Sequence, residues 1–467
     1  MVDLLFRSTL EQLASLQRGD LSPLDLTQAY LKRIEQVDGA LGSYWTVLRE
    51  NALAQAELIT EQWNRNDPGD RPPLLGLPVS IKDLHALQGA PASLGVAALR
   101  QRWVDYDDGA IARLRTAGCV FLGKTATSQL GTQPITEVPG FAPTRNPWDL
   151  SRTAGGSSGG AAAALAAGLC AAAHGSDGGG SIRGPAFCCG LVGLKAARGR
   201  ISNAPVGESF GGLATHGMLS RTVADAALFL DVLSGYLPGD PYTLPLPEVS
   251  FLQQVQTAEQ LKPQRIAWVR AIAPFPAPIP EIEAALTRTA SQLEQLGHSV
   301  EPIDLDLSAL LDPFIVLWRC ALTAVEVPLP LLDEFNQWLI GNAESVGDYL
   351  RAQMQLQICA RQLVHQLQPY AAVLLPTYLQ TAPPVGAWDD LSPEARLQAI
   401  IDWVAPCPLA NATGLPAIAL PTGLANNGLP IGVQLLGHPA GEGTLLQLAA
   451  QLEQRISWQQ IPPAGLP

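Results

Sequence analysis

The chain has 467 residues, 47% hydrophobic and 15% charged, with a formal net charge of −13. That composition fits a compact folded chain, and its acidic balance argues against nucleic-acid backbones or anionic membranes as partners. Seven cysteines without a Cys-x-x-Cys pair predict a reduced, cytosolic protein with buried thiols, and six histidines without ligand spacing predict no metal.

The first residues, Met1 to Arg7, lack a basic region followed by an apolar stretch, so no signal peptide is predicted. Ser8-Thr-Leu-Glu11 reads as a capping box opening a helix that Gly19 ends. Ser22-Pro23 caps a second helix, with Leu26, Ala29, Tyr30 and Val37 at helical spacing. Leu77–Ile81 is a short apolar run, hence a buried strand with Lys82 at its end. A helix follows over Ile111–Ala117, then a buried strand over Cys119–Leu122. The alanine-rich run Ala161–Ala173 starts as a close-packing helix and is too short to span a membrane. Leu237–Pro263, rich in proline and polar residues, is expected to cross the surface. Arg265–Val269, Ile282–Leu296 and Ser299–Leu305 form a strand–helix–strand unit. Val373–Pro376, Ala417–Leu420 and Gly432–Leu436 read as three more strands, and a last helix runs from about Gly443 to Arg455. This alternation predicts one α/β/α layered domain over 1–467.

One segment imitates a nucleotide site. Gly118-Cys-Val-Phe-Leu-Gly-Lys-Thr125 satisfies the phosphate-loop pattern letter for letter. That loop must be a flexible turn whose N–H groups wrap phosphates. Cys-Val-Phe-Leu has the composition of a buried strand, so nucleotide binding is not expected.

The chemistry concentrates in two glycine- and serine-rich runs, Ala154-Gly-Gly-Ser-Ser-Gly-Gly-Ala161 and Ser176-Asp-Gly-Gly-Gly-Ser-Ile-Arg183. Glycine loses more backbone freedom on folding than any other residue, so packing alone does not call for so many. Successive glycines at Gly178, Gly179 and Gly180 let several N–H groups face one concavity, a nest for an oxyanion, with Ser181 at its end as a nucleophile. A serine hydroxyl needs a base. His174 and His216 belong to no triad motif, and Arg183 stands where a Gly-x-Ser-x-Gly elbow would have its second glycine. Taken singly, Lys82 reads as a surface lysine and Ser157 and Ser181 as turn residues, and His174 as a structural histidine.

These runs, with Gly76–Asp83, Thr144–Trp148, Cys189–Lys195, Asn411–Ala417 and Gly428–Gln434, closely resemble the amidase signature family. The resemblance spans nearly the whole chain and is weakest from about 237 to 370. It implies a central mixed, twisted sheet covered by helices on both faces, with a helical part over about 1–65, a signature core over 70–235 and a more variable region over 237–400. It implies a cofactor-free amide hydrolase acting on a small-molecule amide. Ser181 would be the acyl-accepting nucleophile, Ser157 the relay held by a cis peptide bond, and Lys82 the general base, neutral because it is buried. The N–H groups of Gly178, Gly179, Gly180 and Ser181 would bind the oxyanion. Ser158, Ser176, Asp177 and Arg183 would support the nest.

Within the family, the glutaminase subunit of a tRNA-dependent amidotransferase carries an acidic residue seven positions before the late asparagine. Here that position is Val404, with Asp402 displaced by two, which favours a stand-alone amidase. The glutaminase subunit stays the second reading and a catalytically silent binding protein the third, with a homo-oligomer left open. Specificity is expected from loops near 125–140 and 310–400, with Trp318, Phe335, Trp338 and Trp403 as candidates for an apolar acyl site. Cys188 and Cys189 read as packing thiols, one of which could also line that site.

Overall fold

A computed structural model describes residues 2–63, 71–456, 458 and 461–462. Residues 1, 64 and 65 of the expected N-terminal helical part lie outside the described residues. After a single helical turn at Val2–Leu5 come two longer helices, α1 (Thr9–Arg18) and α2 (Pro23–Leu41). Both start with reciprocal capping boxes, Ser8 with Glu11 and Ser22 with Asp25, and both end on left-handed glycines, Gly19 and Gly42. Then come β1 (Tyr44–Val47), α3 (Arg49–Gln62), β2 (Pro78–Lys82), α4 (Gly109–Thr116), β3 (Val120–Thr125), α5 (Gly159–Ala166), β4 (Ala172–Asp177), α6 (Arg183–Cys189) and β5 (Val192–Lys195). The second half holds β6 (Thr215–Ser220), α7 (Val223–Leu233), α8 (Phe251–Gln256), β7 (Arg265–Ala273), α9 (Pro280–Gln295) and β8 (Ser299–Asp306). It continues through α10 (Ser308–Leu322), α11 (Glu334–Gly341), α12 (Val346–Leu367), β9 (Ala372–Pro376), α13 (Pro393–Val404), α14 (Pro408–Thr413), β10 (Ala417–Leu424), β11 (Pro430–Gly437) and α15 (Glu442–Arg455).

Eleven strands form one mixed sheet in the order β1-β3-β2-β4-β6-β5-β10-β11-β9-β7-β8. β3, β2 and β4 run parallel, as do β9, β7 and β8, and antiparallel pairs join the two groups through the middle. Alternate residues of one strand feed different cores. Ile418, Leu374 and Leu435 pack into the larger one with α9 and α15, while Ala417, Val373, Leu375 and Leu436 pack into a second one with α10 and α12. That period of two is what a sheet covered on both faces requires.

The expected strands and helices are found within a few residues of their limits, with three differences. The segment from 237 to 263 carries α8, whose Phe251 and Val255 are buried against α7. The span 310–400, expected as loops, is mostly helical. Lys82 is fully buried, whereas taken singly it reads as a surface residue. Among the described residues, no helix is long and apolar enough to cross a membrane.

Candidate active site

Parallel β2 and β4 are neighbours in the sheet; Lys82 ends β2, the loop leaving the carboxyl end of β4 carries the nest, and Ser157 comes from the segment that precedes α5. Lys82 closes β2, and its ammonium nitrogen lies 2.7 Å from Ser157 Oγ, 3.2 Å from Ser176 Oγ and 3.5 Å from the Ser176 carbonyl oxygen. Burial lowers the Lys82 pKa to about 7, against a smaller opposing pull from Asp177. Ser157 follows a cis peptide bond from Gly156. Ser158, the residue preceding α5, donates its N–H to the Ser181 carbonyl at 3.3 Å and its hydroxyl to the Ser176 carbonyl at 3.4 Å. The two glycine runs are thus tied to each other through Ser158 and to Lys82 through Ser157 and Ser176.

The nest is held from below by a buried polar network. Asp177 takes Arg183 Nη2 at 2.9 Å and Arg183 Nε at 3.0 Å on its two carboxylate oxygens. Burial opposes the charge on Asp177, but the guanidinium outweighs it and holds the carboxyl well below the usual carboxylate range. Asn411 accepts from Arg183 Nη2 at 2.7 Å and donates to Asp177, while Gln434 accepts from Arg183 Nη1 at 3.0 Å. A buried charge pair is favourable only when its remaining hydrogen-bonding capacity is met, which Asn411 and Gln434 do here. Asp177 also accepts the Gly180 N–H at 2.8 Å. Among the described residues, the Gly178, Gly179 and Ser181 N–H groups make no such bond to Asp177. Gly180 has φ +124, and a Cβ there would lie 2.7 Å from Cys407 Cβ, so backbone conformation and space both exclude a side chain.

Ser181 and Gly179 are half-buried in otherwise buried surroundings and line a cavity with Gly131, Thr132, Gln133 and Pro134. The rest of its wall is largely apolar. α10 supplies Leu310, Leu311, Phe314, Ile315 and Trp318; α11 supplies Phe335 and Leu339; α13 supplies Leu397, Ile400, Ile401 and Val404; and α14 supplies Pro408, Leu409 and Ala412. Tyr378 is among the few polar lining residues, and none of the described lining residues is charged. Trp318 and Phe335 therefore line the cavity as expected, whereas Trp338 and Trp403 do not. Cys188 and Cys189 are buried and do not line it either. Asp402 lies elsewhere and accepts from Gln398 Nε2 at 2.9 Å.

Sequence reasoning did not assign roles to Asn411, Gln434, Phe314 or Tyr378. Asn411 and Gln434 stand in the two late runs quoted above, so their position was visible but not their bond to Arg183. It also missed that His85, His174 and His216 converge, because they come from a turn and two strands. His174 Nε2 and His216 Nδ1 are 3.0 Å apart, and His85 Nδ1 lies 3.0 Å from Asp108 Oδ2. Burial pushes all three imidazoles down, His216 to about 3.

The Amidase family model matches residues 25–446. A protein named "Putative amidase" from Synechocystis sp. is 45% identical over 471 residues, covering 100% of this chain and 92% of that one. The 6-aminohexanoate-cyclic-dimer hydrolase of Pseudomonas sp. (strain NK87) is 32% identical, covering 97% of this chain and 96% of that one. The solved structure of a 6-aminohexanoate cyclic dimer hydrolase complexed with substrate superposes with a TM-score of 0.89 at 30% identity, covering 98% of this chain and 99% of that one. The chain belongs to the amidase signature family and is a hydrolase of carbon–nitrogen bonds.

Proposed function

We propose that this amidase cleaves an uncharged, largely apolar carboxamide through an acyl-enzyme on Ser181. The observation that carries the reading is a fully buried Lys82 bonded to Ser157 beside an apolar cavity that Ser181 lines. The substrate carbonyl sits over the nest, its oxygen toward the N–H groups of Gly178, Gly179 and Ser181. Ser181 Oγ attacks the carbonyl carbon as its proton passes to Ser157, whose own proton passes to neutral Lys82. The tetrahedral intermediate collapses, the C–N bond breaks, and the relay returns the proton to the leaving amine. Water then attacks the ester by the same route, releasing the acid and restoring Ser181. A preorganised N–H donor of this kind lowers the barrier by roughly 2.7–4 kcal/mol.

The wall of the cavity narrows the substrate. A free amino acid such as glutamine carries an ammonium and a carboxylate, and burying either without a charged partner is costly. With Val404 in the wall and no charged lining residue, the glutaminase reading has no group to meet them. The test compares wild type, Ser181→Ala and Lys82→Ala on aliphatic amides, anilides, glutamine and 6-aminohexanoate cyclic dimer. Amine release by wild type alone, with the acyl group found on Ser181 by mass spectrometry, is expected. Release from glutamine alone, or equal rates in all three proteins, refutes the reading. Failure of a serine-directed acylating probe to label Ser181 would favour a silent binding protein.

A further inference from the structure

We infer that His85, Asp108 and His216 form a binding site for a borderline divalent transition cation such as Zn²⁺ or Co²⁺. One ligand atom from each of the three lies within 4.8 Å of the others. The ligands come from three separate places: the turn after β2, the residue preceding α4, and β6. Zinc–nitrogen distances of about 2.0–2.1 Å put neighbouring ligand atoms roughly 3.3 Å apart in a tetrahedral site. The His85–Asp108 pair already stands at 3.0 Å, so modest side-chain rotation closes the set.

The side chains of Asp108 and His85 are turned to each other. Asp108 stands at the N-cap of α4, where an aspartate ordinarily accepts a helix N–H, yet its side chain makes no such bond and turns to His85. His85 spends Nδ1 on Asp108 and leaves Nε2 buried with no hydrogen-bond partner. For all three residues to hold one ion, the ion takes the place of the proton between Nδ1 and the Asp108 carboxylate, so that Nδ1 and Oδ2 are its ligands and Nε2 keeps the N–H.

His174, Lys82 and Lys124 surround the three ligands. His216 Nδ1 faces His174 Nε2 at 3.0 Å, so the fully buried His174 can fix the His216 ring in the way outer partners orient a ligating imidazole. Of the two lysines that face the cluster, Lys124 is paired with Asp83 at 3.4 Å, and Lys82 is held toward its neutral form by burial. The side chains of His85 and Asp108 are each 15% exposed, which gives the ion a way in. Two imidazoles and one carboxylate select Zn²⁺, Co²⁺ or Ni²⁺ over Mg²⁺ and Ca²⁺, which prefer all-oxygen sets. Bound there, the ion would tie the turn that follows Lys82 to β6.

The full-length protein, stripped with a chelator and dialysed, is titrated with CoCl₂. Expected are saturation at one ion per chain, the visible absorption of low-coordinate Co²⁺, displacement by Zn²⁺ but not by Mg²⁺, and a raised thermal midpoint. Asp108→Asn and His216→Gln each lose the absorption band and the thermal shift. Because the wild-type titration stands by itself, a misfolded variant does not shelter the inference. No saturable Co²⁺ binding to wild type overturns it, as does a band kept in both variants.

Discussion

Replacing Lys82 by methionine should remove activity and, at neutral pH, stabilise the protein. Burial lowers the Lys82 pKa from 10.5 to about 7. The folded state then binds fewer protons than the unfolded state between those values, so stability rises with pH across that window. At 1.36 kcal/mol per pKa unit, the buried amine costs about 4 kcal/mol at pH 7 and about 2 kcal/mol at pH 9, the cost vanishing near 10.5. Methionine has a similar length and no charge to desolvate. It forfeits the bonds from Nζ to Ser157 and Ser176, worth about 1 kcal/mol each. The variant should therefore be more stable by about 2 kcal/mol at pH 7, with the advantage gone by about pH 9. An unfolding entropy of about 2.1 cal/mol/K per residue over 467 residues converts 1 kcal/mol into about 1 °C. Thermal midpoints of both proteins from pH 7 to 9 measure this, and the difference should shrink by about 2 °C. A variant less stable than wild type by the same amount at every pH would mean that Lys82 is a satisfied ammonium in the resting fold, and the neutral-base argument would fail with it.

The same value sets the pH profile of catalysis. Because the base must be neutral, kcat/KM on an uncharged amide should rise as pH increases through about 7, and a flat profile there would contradict the assignment. Asp177→Asn leaves Arg183 buried without its counter-charge, so a loss of about 3–5 kcal/mol is expected, read as a drop of a few degrees in thermal midpoint. Trp318→Ala opens the acyl wall next to Phe314. It should lower kcat/KM roughly 10–200-fold for amides with long or aromatic acyl groups and change acetamide little, measured as a chain-length series.

What sequence reasoning recovered, and what it lost, follows how local each signal is. Capping boxes at Ser8 and Ser22 and apolar runs such as Leu77–Ile81 are local, and those elements form where they were expected. The signature residues are legible because Ser157 and Ser181 sit in glycine loops that packing alone does not demand. The burial of Lys82 is different. A lysine ending a strand carries no mark of the dry pocket that later segments close over it. The acyl wall is lost for the same reason: α10, α11 and α13 are amphipathic helices whose apolar faces meet only in three dimensions. Composition points at Trp318, Phe335, Trp338 and Trp403 equally, while packing puts Trp403 against Tyr378 and Trp388 and leaves Trp318 in the wall. Strands β4 and β6, which bring His174 beside His216, are too rich in alanine, glycine and polar residues to show strand periodicity.

The phosphate-loop pattern at Gly118–Thr125 tests whether composition may overrule a motif. Its Val120–Thr125 part is β3, paired on one side with β1 and on the other with β2, so its backbone N–H groups are committed to neighbours along the sheet. Lys124, which would have to reach a phosphate, is fully buried; its ammonium donates to the carbonyls of His85 and Pro91 and pairs with Asp83. A ligand at 100 times its dissociation constant stabilises the fold it binds by about 2.7 kcal/mol, about 3 °C for a chain of this length. Millimolar Mg-ATP should therefore leave the thermal midpoint unchanged. A saturable rise of that size, abolished by Lys124→Met in a protein that still folds, would show that β3 gives way to a loop, and that a strand composed of Val-Phe-Leu is weaker evidence of burial than the sheet pairing makes it.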